Sequence, residues 1–122
     1  MSQGPTIEAL EQELNQMLVE GHSMAAFERF YADDVTIQEN SNPAVVGKEQ
    51  NRRREESFFT AIEAVEVVTL LGWAVRGHLS YSEWVYEIRM VGGRRLKIAE
   101  VAARRWRDGQ VVHERYYHDS AF

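Results

Sequence analysis

Apolar residues recur every three or four positions near the start of the chain. Ile7, Leu10, Leu14, Met17 and Leu18 fall on one stripe, which predicts an amphipathic helix. Thr6 can cap it and Gly21 can stop it. Ser23 can cap a shorter helix, with Phe27, Phe30 and Tyr31 packing and Ala32-Asp33-Asp34 ending it. The period then changes from helical to alternating. Val35-Thr36-Ile37-Gln38-Glu39 reads as a strand, with Val35, Ile37 and Glu39 on one face. Asn42-Pro43 marks a loop. Gly47 precedes a third helix, polar through its first turns and apolar at Phe58, Phe59 and Ile62.

Beyond that helix the pattern is strand only. Val65, Val67, Thr69, Leu71, Trp73 and Val75 share one face of a long strand, and His78 and Ser80 lie near a turn. Ser82 to Met90 forms the next strand, and Gly92-Gly93 makes a hairpin. Two last strands, joined at Asp108-Gly109, span Lys97 to Asp119. Helices first and a strand meander afterwards predict an α+β domain over residues 1–122, its helices covering one face of a curved antiparallel sheet.

The strand faces locate the chemistry. Trp84, Tyr86, Ile88 and Met90 make the inward face of their strand. Leu96, Ile98, Ala102 and Trp106 make that of the next, shared with Glu100 and Arg104. A three-residue loop with a glycine bulge at Gly92-Gly93 sets these faces on the same side, with Trp84 opposite Glu100 and Glu87 opposite Lys97. The same reasoning at Arg107-Asp108-Gly109 places Glu114 opposite Ala102 and Tyr116 opposite Glu100. A strict two-residue Asp108-Gly109 turn would instead point His113, Arg115 and Tyr117 inward. The inward face of the last strand decides whether Glu114, Tyr116 and His118 line a pocket.

Composition narrows the function classes. No apolar run approaches the ~18 residues of a membrane span, and the first residues lack the basic-then-apolar plan of a signal peptide. Cysteine is absent, which excludes thiolate catalysis and zinc-thiolate sites and fits a cytoplasmic location. The net charge of −5 argues against nucleic acid as a partner. The basic run Arg52-Arg53-Arg54 is flanked by Glu49, Glu55 and Glu56, as on a solvated helix face. His113 and His118 differ in parity, so they cannot chelate one metal. Neither metal nor cofactor is expected.

The chain resembles the SnoaL-like polyketide cyclase group of the nuclear transport factor two-like superfamily, which includes ketosteroid isomerase. The residues carrying the resemblance are FERFYADDVTIQEN (Phe27 to Asn40), Gly47 before the third helix, and EVAARRWRDGQVVHERYYHDS (Glu100 to Ser120). The resemblance implies a cone-shaped α+β barrel. Three helices close over a strongly curved antiparallel (mixed) sheet and leave an apolar cavity, commonly in a homodimer. Ala99, Val101 and Ala103, on the convex face, are a candidate dimer seam. In ketosteroid isomerase the general base ends the first strand, and Glu39 stands there in this chain. Its oxyanion-stabilising pair is not matched: the tyrosine position falls at Asn15 or Leu14, and the aspartate position at Ala102. The late acid of the polyketide cyclases corresponds to Asp119.

Glu39 ends an apolar strand face, where a carboxylate can shuttle protons; alternatively it reaches solvent at the mouth of the cone. Glu100 and Glu114 are close enough to influence each other. The structural alternative pairs Arg104 with Glu114, and Tyr116 with Glu100. Glu39, Glu100, Tyr116 and His118 are thus the catalytic candidates, with Glu39 as base and the others binding or polarising a carbonyl. Tyr31, Phe58, Phe59 and Tyr86 are candidate ligand contacts. Trp73, Trp84 and Glu114 complete that set. The expected function is a small-molecule cavity of cofactor-independent isomerase or cyclase type, acting on an apolar carbonyl compound. The alternative is a non-catalytic ligand- or partner-binding domain.

Overall fold

The computed structural model describes residues 4–120. Its elements are α1 (Ile7–Val19), α2 (Ser23–Phe30), β1 (Tyr31–Glu39), β2 (Val45–Val46) and α3 (Lys48–Thr60), then β3 (Ile62–Arg76), β4 (Leu79–Met90), β5 (Arg95–Arg107) and β6 (Gln110–His118). The three helices pack on one six-stranded sheet in the order β2-β1-β6-β5-β4-β3. Its strands pair antiparallel except β1 and β6, which run parallel. The expected α+β cone is therefore present, but the sheet is curled and open rather than a closed barrel.

Local signals explain most boundaries. The Thr6 hydroxyl accepts from the Ala9 amide at 3.1 Å, capping α1 as the sequence predicts. Ser23 is the first helical residue of α2 rather than its cap; His22 holds the cap position without a side-chain bond. That helix also ends earlier than Asp34, because Tyr31 is already extended (φ −98°, ψ 133°). Ile62 opens β3 instead of closing α3. Asn51, buried on α3, donates to the carbonyls of Gly47 (2.8 Å) and Val45 (2.9 Å), fixing that helix on the β1–β2 corner.

Register follows the turns. The β4–β5 hairpin has the expected three-residue loop, with Trp84 opposite Glu100 and Glu87 opposite Lys97. The β5–β6 hairpin differs. Asp108 (φ 51°) and Gly109 (φ 78°) form a true two-residue turn between Arg107 and Gln110. A bulge then follows, because Trp106 pairs with Val111 but Arg105 with His113. The extra residue, Val112, reverses the parity that the tight turn imposes. Glu114, Tyr116 and His118 therefore do face inward, two residues out of the expected register: Arg104 opposes Glu114, Ala102 opposes Tyr116 and Glu100 opposes His118.

The long strand β3 is not one uninterrupted face. Three register shifts against β4 divide it, so Val65, Trp73 and Val75 pair with the inward Ile88, Ser82 and Ser80. Val67 and Thr69 pair with the outward Glu87 and Val85. Period-2 counting cannot see bulges, which is why all six residues seem to share a side in the sequence.

Under α1 the core is polar. Arg104 is only 2% exposed, and Glu11 and Glu114 are fully buried. Arg104 donates to Glu114 (Nε, 2.7 Å), to Glu11 (Nη1, 2.9 Å), to the Asn15 carbonyl (3.0 Å) and to the Ser82 hydroxyl (3.2 Å). Ser80 donates to Glu11 at 2.6 Å and accepts from the Trp106 indole at 2.8 Å. Tyr31 donates to Glu114. Leu14, Phe27, Phe30, Val35, Ile37 and Val111 belong to the surrounding apolar core. Removing the guanidinium strands two buried carboxyls, so Arg104→Met should destabilise the fold by about 3–5 kcal/mol in urea unfolding. A loss below about 1 kcal/mol would show that the network is not what anchors α1.

Candidate functional site

Between the three helices and the concave face lies a partly open, mainly apolar cavity of about 790 Å³, within the range of small-molecule sites. Leu14 and Leu18 of α1, Phe27 of α2, Phe58 and Phe59 of α3, and Val65 and Val68 of β3 supply apolar wall. Tyr31, Tyr86 and Tyr116 add aromatic wall. The polar groups reaching it include Glu39, Arg54, Glu55 and Glu100, each from a defined place: the end of β1, one face of α3 and mid-β5.

Glu39 is held from two sides. Arg54 Nη1 donates to its Oε1 at 2.9 Å, and His118 Nε2 lies 2.8 Å from its Oε2. The Ser120 amide donates to His118 Nδ1 at 3.3 Å. A backbone N–H can only donate, so Nδ1 is the acceptor and the ring proton sits on Nε2, directed at Glu39. Asn40 steadies the ring through the His118 amide at 2.8 Å. These two bonds orient Glu39 without exhausting it, because a carboxylate offers about four lone-pair positions.

Glu100 differs. Its carboxyl makes no hydrogen bond among the described residues, and it faces the cavity. Burial, reinforced by the nearby charges of Glu39 and Glu114, pushes its carboxyl up to about 8 against the opposing pull of Arg104. Glu55 is pushed up to about 7, again chiefly by burial, although Arg54 Nη2 stands 3.3 Å from its Oε1 and opposes the rise. Burial also raises the phenols of Tyr31, Tyr86 and Tyr116, which stay protonated as donors. No cluster of three or more His, Asp or Glu able to hold a metal occurs among the described residues.

Of the residues singled out in the sequence, Glu39, Glu100, Tyr116, Tyr31, Phe58, Phe59 and Tyr86 line the cavity together. His118 sits behind Glu39. Three do not reach it. Trp84 is fully buried, stacked at 5.6 Å on Tyr86 and donating to Ser82. Glu114 lies behind Tyr31, tied to Arg104. Trp73 is 39% exposed beyond the helices. Asp119 accepts from the Ala99 amide at 3.1 Å and is exposed. Arg54 and Glu55 were hidden in what reads as a solvated run: Arg52 and Arg53 do pair with Glu49 there. The signal that separates Arg54 and Glu55 is spacing, since Phe58 stands four residues after Arg54 and Phe59 four after Glu55.

The SnoaL-like domain model matches residues 12–114. The chain belongs to the SnoaL-like family. Among solved structures, this SnoaL-like protein resembles a proposed SnoaL-like polyketide cyclase from Mesorhizobium loti at 22% identity (TM-score 0.81, covering 93% of this chain and 99% of that one). A second such protein, from Jannaschia sp. CCS1, matches at 20% identity (TM-score 0.79, 98% and 92% covered). A protein of ketosteroid isomerase-like fold from Catenulispora acidiphila, in complex with trimethylamine, matches at 20% identity (TM-score 0.72, 86% and 84% covered). No curated protein matches the chain. Among the described residues, no helix is long and apolar enough to cross a membrane.

The two raised carboxyls make stability depend on pH. Between the ordinary value of 4.5 and the raised values of about 7 and 8, the folded SnoaL-like protein binds protons that the unfolded chain has lost. Stability must therefore fall as pH rises through that window, by at most about 1.4 kcal/mol per pH unit for each group. Chemical unfolding from pH 4 to 9 should show this decline, flattened in Glu55→Gln and Glu100→Gln. A wild-type profile that climbs from pH 5 to 8 would mean both carboxyls are ionised in the fold.

Proposed function

We propose that the protein binds an apolar carbonyl compound in this cavity and moves a proton next to its carbonyl, as a cofactor-independent isomerase or cyclase does. The observation carrying the proposal is Glu100: a carboxyl with no hydrogen-bond partner among the described residues, pushed up to about 8 by burial and facing a mainly apolar cavity. Glu100 donates to the carbonyl oxygen and stabilises the enolate. Tyr116, also at the cavity wall, supplies a second donor. Glu39, oriented by His118 and Arg54, takes the α-proton. Membership of the SnoaL-like family supports this reading. The engagement of both Glu39 oxygens favours a second reading, in which the cavity binds its ligand without turnover. In either reading we infer a homodimer joined through Ala99, Val101 and Ala103, which alternate along β5 with the inward Ile98, Glu100, Ala102 and Arg104.

Proton abstraction can be tested without knowing the complete reaction. A panel of apolar cyclic ketones in D2O should exchange their α-protons faster with the protein than without it, as read by proton NMR. Glu39→Gln should lose about 10²–10⁴-fold of that acceleration. The wild-type rate should fall above pH 8 as Glu100 ionises. Glu100→Gln keeps a donor that does not titrate, so its profile should lack that fall. Ketones that bind without any exchange would establish the non-catalytic reading.

A further inference from the structure

The carboxyls at the cavity outnumber its cations. Glu39, Glu55 and Glu100 face it, and among the described lining residues Arg54 is the one guanidinium. Arg54 is shared: Nη1 bonds Glu39 and Nη2 bonds Glu55, while its Nε is buried with no partner among the described residues. With Glu100 protonated and Glu55 partly so near pH 7, the side chains of Glu39 and Glu55 still share one guanidinium. Glu55 is the less satisfied of the two. Arg54 reaches its Oε1 at 3.3 Å, and its other oxygen accepts no hydrogen bond among the described residues while its side chain lines the cavity.

Apart from Arg54 on its own helix, the described elements around Glu55 add to the negative side or bring no Lys or Arg to the cavity. Glu39 of β1, Glu100 of β5 and Glu114 of β6 raise or feel its charge. Tyr86 of β4 and Tyr116 of β6 stand near it as neutral phenols. The parts of α1 and β3 that line the cavity are aliphatic, and His22 lies before α2. Arg104 belongs to Glu11 and Glu114 beneath the floor. An anionic ligand would meet repulsion from each carboxylate. A neutral one leaves the deficit as it was.

We propose that the cavity's ligand is an apolar amine, bound as a cation with its ammonium group against Glu55 and its hydrocarbon body along Phe58, Phe59 and Tyr86. The aromatic faces favour the same charge through their quadrupoles. This rests on the cavity being a ligand site and adds the ligand's charge: the carbonyl compound that meets Glu100 also carries a basic nitrogen. Because the cation favours ionised Glu55, its binding expels the proton that carboxyl shares with solvent near pH 7.

An isosteric pair isolates the charge. Benzyltrimethylammonium and neopentylbenzene have the same shape, and amide chemical shifts of the labelled protein report the affinity of each. The cation should bind about tenfold tighter or better. Calorimetry in two buffers of different ionisation heat should show roughly half a proton released per cation at pH 7. Glu55→Gln should bring the affinity ratio close to one, and neopentylbenzene binding by that variant reports an intact cavity. Equal affinities in the wild type overturn the inference but leave the cavity as a ligand site. If neither compound binds while ketone exchange proceeds, the inference fails and the acid–base reading stands; if exchange is absent too, both fail.

Discussion

A single buried guanidinium decides how this chain closes. Arg104 comes from β5, yet its partners come from α1 (Glu11, Asn15), β4 (Ser82) and β6 (Glu114). Each bond is charge-assisted or made to a group that would otherwise be an unpaired buried polar atom. An apolar core tolerates small sliding of one layer over another. A guanidinium with a fixed fork does not, so α1 must meet the sheet in one position. That position places Leu14 and Leu18 at the cavity wall.

The sheet needs its own irregularities to present the site. The tight Asp108-Gly109 turn alone would bring His113 and Arg115 beneath the helices. Val112, inserted as a bulge, turns Glu114 inward to Arg104 and Tyr116 to the cavity. The shifts along β3 act similarly, bending the strand and directing Val65 and Val68 at the ligand space while Val67 turns outward. One extra residue in a strand here determines which chemistry faces in.

The sequence disclosed the layers better than the register. Helical periodicity in Ile7 to Leu18 and alternation from Val35 and again after Val65 suffice for a helical layer on a sheet, because those patterns report burial directly. The residues of β6 could be placed on the correct face but not opposite the correct partners, since a turn and a bulge two residues apart each change the count by one. Glu39, Glu100 and Tyr116 were legible as acids and a phenol on apolar faces. Arg54 and Glu55 were not, because polar residues on an amphipathic helix ordinarily mark its wet side, and α3 is polar nearly all round. Glu11 was hidden for a related reason: a lone glutamate within an apolar helix stripe is readable as buried only once Arg104 is known to lie opposite.

The same stoichiometry occurs twice with opposite results. Arg104 serves Glu11 and Glu114; Arg54 serves Glu39 and Glu55. Around Arg104 most of the remaining valences are filled by Ser80, Ser82, Asn15 and Tyr31, although Glu114 Oε1 has no partner among the described residues, and the cluster ties α1 to the sheet. Around Arg54 they are filled on the Glu39 side by His118 but not elsewhere: among the described residues Nε has no partner, and Glu55 and Glu100 are pushed toward neutrality by burial. Both of these carboxyls line the empty space, whereas Nε itself is buried. In a closed core such a deficit would only cost stability, and hydrophobic replacement would relieve it. Beside a cavity of ligand size, it gives the site a preference for what enters and a pair of carboxyls poised to exchange protons near neutral pH.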